Sequence, residues 1–137
     1  MCIRDSPSDD RNANVSWLIC GVGAFANSKV YISDSIFSNN AADNVGALGL
    51  SQSDVNISTS KFIHNSAMGY SDGAIYIGSG TVVIQSTVFR YNAAREIAGA
   101  LRVVEGANFV IRDVEFTNNV ATSGAACVIK DLSLIHI

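Results

Sequence analysis

The side chains that could do chemistry in this 137-residue chain are few, with 12 Asp and Glu, 9 Lys and Arg, 2 His and 3 Cys. Asp34, Asp43, Asp54, Asp113 and Glu115 fall in patterned sequence. Two carboxylates held about 5 to 10 Å apart could cleave a glycosidic bond by acid–base chemistry, and an acid cluster beside an Arg could hold calcium. Tyr76 and Arg102 recur at equivalent places, as an aromatic ring and a cation that can stack on one another or grip a sugar. Arg90 and Tyr91 form a second outward-facing candidate set. Which of these residues meet depends on the elements that carry them.

Those elements repeat. Glycines at 21, 46, 73, 99 and 124 are spaced by 25, 27, 26 and 25 residues. Behind them Val30, Ile32, Ser35, Phe37, Asn40 and Ala42 are matched by Val55, Ile57, Ser60, Phe62, Asn65 and Ala67. Val82, Ile84, Thr87, Phe89, Asn92 and Ala94 follow, then Phe109, Ile111, Val114, Phe116, Asn119 and Ala121. Within each unit apolar residues alternate by two, the strand signal, and the three- and four-residue spacing of an amphipathic helix is missing. Leu48 and Leu50, Ile75 and Ile77, Leu101 and Val103 face one way, with Gly49, Tyr76 and Arg102 facing the other. A period near 26 with short strands and small polar residues at the corners predicts an all-β parallel β-helix, a β-solenoid of about four to five coils of 25–27 residues stacked about 4.8 Å apart.

Stacking turns equivalent positions into columns, and the columns constrain the chemistry. Asp34 and Asp113 share a column with Thr59 and Ser86, which puts the acids three coils apart, about 14 Å. Glu115 lines up with Ile36, Lys61 and Val88, and Asp43 with Met68, Arg95 and Thr122. No aligned column sets two carboxylates on adjacent coils, so no catalytic and no metal residues are assigned and no cofactor is expected. Lys29 and Asp54 are column neighbours and read as a surface ion pair contributing no more than about 1 kcal/mol. Asn40, Asn65, Asn92 and Asn119 read as a structural ladder at a turn, each amide bonding the turn backbone and the next amide. His64 stands in a turn with no ligand partner in step. Cys20 and Cys127 lie roughly 19 Å apart along the axis, beyond the roughly 7 Å between Cα atoms that a disulfide spans. Asn14-Val15-Ser16 and Asn56-Ile57-Ser58 match the glycosylation acceptor pattern.

Composition sets the outer bounds. With 48% hydrophobic residues, 15% charged residues and one proline, the chain is too apolar for disorder. A net charge of -3 gives no basic footprint for nucleic acid, and no apolar run approaches the roughly 20 residues of a membrane span. The ends stand apart. A DNA segment encoding Met1-Cys2-Ile3-Arg4-Asp5-Ser6 has a reverse complement that encodes Leu132-Ser133-Leu134-Ile135-His136 and begins Ile137. The segment resembles the transposon end used as a sequencing-library adapter. Residues 1–6 and 132–137 are therefore read as adapter-derived tails outside the fold, 7–20 as an N-terminal loop and partial coil, and 21–131 as the repeats. On that reading Met1 is not a biological start and the repeats belong to something longer.

Phe37-x-x-Asn40, Phe62-x-x-Asn65, Phe89-x-x-Asn92 and Phe116-x-x-Asn119, each followed by a turn such as Val45-Gly46-Ala47-Leu48, Asp72-Gly73-Ala74-Ile75 or Ala98-Gly99-Ala100-Leu101, resemble the repeats of polymorphic outer-membrane proteins. The family turn carries two glycines, and here the first is replaced each time. The resemblance implies a right-handed β-helix displayed at the cell surface or secreted, in many cases for adhesion. Pectate-lyase-like enzymes share the general fold, so a fragment of a polysaccharide lyase or glycoside hydrolase with its catalytic coils elsewhere is the alternative. The expectation is a structural or adhesive scaffold. Its candidate surface-binding residues are Tyr76, Arg102, Arg90 and Tyr91, its partner a carbohydrate or other cell-surface ligand, and the fragment self-associates end to end through its strand edges.

Overall fold

Each coil alternates apolar inward residues with polar outward ones and bends at single residues, which is how a chain with no helical period closes on itself. The computed structural model describes residues 3–5, 21–69, 71–104 and 108–129. After β1 (Ile3–Asp5), the first coil comprises β2 (Gly23–Ala26), β3 (Lys29–Ser33), β4 (Ile36–Ser38) and β5 (Ala41–Ala42). The second repeats it as β6 (Leu48–Ser51), β7 (Asp54–Ser58), β8 (Lys61–Ile63) and β9 (Ser66–Ala67). The third is β10 (Ile75–Ile77), β11 (Thr81–Gln85), β12 (Val88–Arg90) and β13 (Ala93–Ala94). The fourth has β14 (Leu101–Val103), β15 (Asn108–Arg112) and β16 (Glu115–Thr117), and β17 (Cys127–Ile129) opens a further turn.

Every strand pairing is parallel and joins one coil to the next. The result is a β-solenoid with four ribbons: β1-β2-β6-β10-β14-β17, β3-β7-β11-β15, β4-β8-β12-β16 and β5-β9-β13. The expected register holds, with Ile32, Ile57, Ile84 and Ile111 in one column and Phe37, Phe62, Phe89 and Phe116 in another. The four rings stack at centroid distances of 4.7, 5.0 and 5.0 Å. Phe62 and Phe89 are wholly buried, a contribution of about 2 to 3 kcal/mol each.

The corners explain why the coils are so regular. Asn27, Asp34 and Asn39 in the first coil, and Gln52, Thr59 and His64 in the second, take positive φ between 48° and 56°. A single left-handed residue turns the chain sharply, and Asn and Asp accept that conformation most readily. At five of the bends a Ser or Thr follows the left-handed residue. Its hydroxyl donates to the carbonyl two residues back, from Ser28 to Ala26, Ser35 to Ser33, Ser53 to Ser51, Ser60 to Ser58 and Thr87 to Gln85, at 2.7–2.8 Å. At the last corner the Asn ladder stands as expected: Asn40 Nδ2 donates to Asn65 Oδ1 at 2.8 Å, Asn65 to Asn92 at 2.9 Å and Asn92 to Asn119 at 3.0 Å. The glycine column has an equally direct cause. A Cβ on Gly46, Gly73 or Gly99 would run into the carbonyl oxygen of Gly73, Gly99 or Ala125 in the following coil.

At the first edge, Ile3–Asp5 pairs with Gly23, Ala24 and Phe25 as β1. A backbone ladder accepts almost any sequence, so the segment set aside on its coding still occupies a strand position. Residues 132–137, the loop at 7–20 and Cys20 lie outside the described residues.

Candidate ligand-binding surface

The inward columns leave function to the outer faces. On the β2-β6-β10-β14-β17 ribbon, Ala24, Gly49, Tyr76, Arg102 and Val128 form one outward column. The expected stack between Tyr76 and Arg102 is present, the guanidinium carbon lying 5.6 Å from the ring centroid. Gly49, in register with Tyr76 on the preceding coil, adds only backbone to this column.

A group that the spacing did not reveal lies behind this pair. Asp72 bridges Val45 on one side and Ala98 on the other and is completely buried. Its Oδ2 accepts a hydrogen bond from the Ser71 hydroxyl at 3.0 Å and lies 3.9 Å from an Arg102 guanidinium nitrogen. Burial pushes its carboxyl up to about 7, against the opposing pull of Arg102 and of the Ser71 hydrogen bond. Asp72 Oδ1 and Arg102 Nε are both buried without a hydrogen-bond partner.

Arg90 and Tyr91 belong to a different face, so the four candidate residues form two separate patches. Arg90 pairs with Glu115 at 2.7 Å, and the Thr117 hydroxyl donates to the same oxygen at 2.6 Å. The Thr117 hydrogen bond, then Arg90, hold the Glu115 carboxyl below its usual range, and the bond to Glu115 raises Arg90 in turn. Tyr91, at the corner, stacks on His64 with ring centroids 4.9 Å apart. His64 is thus occupied by an aromatic neighbour.

Two further placements follow. Lys29 and Asp54 are in register, but the expected ion pair does not form: Asp54 Oδ1 instead accepts the Thr81 backbone N–H at 3.3 Å, the nearer donor on the following coil. Cys127 is a free thiol on the inward column of Leu48, Ile75 and Leu101, and burial pushes it up to about 11, which makes it a poor nucleophile at neutral pH.

Among the described residues, no three His, Cys, Asp or Glu gather into a metal-binding group, and no helix is long and apolar enough to cross a membrane. No protein-family model, no curated protein and no solved structure matches the chain.

Proposed function

We propose that the chain is a segment of an extracellular or cell-surface β-solenoid, related to the repeats of polymorphic outer-membrane proteins, that acts as a non-enzymatic rod for adhesion or spacing. One observation carries this reading: identical or similar residues occupy the Ile and Phe inward columns from coil to coil, whereas the outward columns Ile36, Lys61, Val88 and Glu115, and Ala24, Gly49, Tyr76, Arg102 and Val128, change at every step. A scaffold of this kind holds its geometry constant and varies the side chains it displays. The best-formed acids fit it too. Asp72 is buried against Arg102 and Glu115 is engaged by Arg90 and Thr117, so both acids are taken up by contacts within the coil stack.

Binding of the purified chain to intact host cells, matrix proteins and a polysaccharide panel tests the proposal. Saturable binding to at least one surface is expected. Absence of binding across the panel would overturn the adhesive role.

A further inference from the structure

The broad face of the β3-β7-β11-β15 ribbon carries a groove lined by Tyr31, Asp54, Val55, Asn56, Thr81 and Val83. Its composition is what matters. Tyr31 is 77% exposed, although Val30 and Ile32 on either side of it point into the core. An aromatic ring so placed adds nothing to the packing of its own coil and lies open to solvent. In its column stand Asn56 and Val83, one coil and two coils further on, at steps of about 4.8 Å. Beside them Asp54 and Thr81 form the neighbouring column. The groove therefore offers a flat apolar ring, an apolar floor, and amide, carboxylate and hydroxyl groups along its rim.

We propose that this groove is a saccharide-binding site for neutral pyranose units. A pyranose has an apolar C–H face and an edge of hydroxyls that both donate and accept. The first matches a tyrosine ring; the second matches Asn56, which donates and accepts, and Asp54, which accepts. Sheet register spaces the groups, because three coils cover about 10 Å, the length of two linked sugar rings. Charge selects among saccharides. Asp54 is the only ionisable group other than the tyrosine in the lining, with Lys29 in register beside it at the end of the groove, so a uronic-acid polymer laid along the groove would set a carboxylate against Asp54 and gain one cation only at its end. The site differs from the Tyr76 and Arg102 patch, which is on another ribbon, and it rests on the display reading above.

The test titrates the whole chain with neutral oligosaccharides (cello-, manno- and chito-oligomers) and with oligogalacturonate, following saturation transfer and affinity. Saturable binding of a neutral oligomer is expected, with Tyr31→Ala weakening it about tenfold, Tyr31→Phe retaining most of it and Met68→Ala, an exposed position outside the groove, leaving it unchanged. Tyr31 is exposed, so circular dichroism should show all variants folded. Saccharide binding that survives Tyr31→Ala, or that prefers oligogalacturonate, would overturn the site while leaving the display reading in place. Binding to cells or matrix proteins with no saccharide bound would also overturn the site alone, whereas loss of every kind of binding would remove both.

Discussion

Asp72 has ionisation set by the fold and not by solvent. Its ordinary value is 3.8 and the folded chain holds the proton up to about 7. Below the ordinary value both folded and unfolded states are protonated, and the residue adds no pH dependence. Between the two values the unfolded chain ionises first, so stability falls as pH rises, and above the folded value the loss is complete. Asp72→Asn keeps the shape and removes the titration. The variant should match the parent in acid and exceed it by up to about 4 kcal/mol above neutrality, the attraction of Arg102 being already contained in the folded value. Urea unfolding at several pH values measures this. Parallel profiles for parent and variant would show that the carboxyl titrates in the native protein as it does in the unfolded chain.

At the scale of the element, the Asn ladder decides how firmly one coil is bound to the next. Asn92 is buried. Its Oδ1 accepts from Asn65 N and Nδ2 at 3.0 and 2.9 Å, while its own Nδ2 donates to Phe62 O at 2.9 Å and Asn119 Oδ1 at 3.0 Å. Truncating it strands donors and acceptors on both neighbouring coils, so Asn92→Ala should cost about 3 kcal/mol or more. Asn40 is less buried and receives no such bonds from an earlier described coil, and Asn40→Ala should cost about 1 kcal/mol. Negligible losses at both positions in denaturant unfolding would mean that the ladder is ornamental, and equal losses that the number of bonds each amide makes does not set the cost. This ladder, the Phe stack and the Ile column were legible in the sequence because each depends on repetition at a fixed spacing, and parallel register carries that spacing into space unchanged. Three features were not legible, each for a physical reason. The Arg90 and Glu115 pair runs diagonally, since Arg90 is in register with Thr117 and Glu115 with Val88, so column neighbours alone do not find it. The Lys29 and Asp54 alignment was right, yet a backbone N–H from the following coil was the better partner for an exposed carboxylate. Asp72 looked like a turn residue, because nothing in the spacing told that the column of Val45 and Ala98 is buried.

For the whole molecule, a solenoid is stabilised by its neighbours one coil at a time, so the coils with a partner on both sides hold best. Phe62 and Phe89, in the two middle coils, are wholly buried, and Phe37 and Phe116 in the outer coils are only partly so. Near the last described strand, Ile129 keeps 39% of its area exposed and Val120 keeps 63%. A flat, parallel, apolar strand edge is a template for another chain. The purified 137-residue chain is therefore expected to associate end to end, sedimentation velocity showing dimers and longer species as its concentration rises. The net charge of -3 is too small to prevent it. Ile129→Lys places a charge on that edge, in the column of Ile77 and Val103, and should shift the distribution toward monomer. Lys61→Glu, on an exposed lateral position, should leave association through the edges intact. A parent chain that stays monomeric at high concentration would rule out open edges. An Ile129→Lys chain that associates like the parent, while Lys61→Glu does not, would relocate the contact from the ends of the rod to its side.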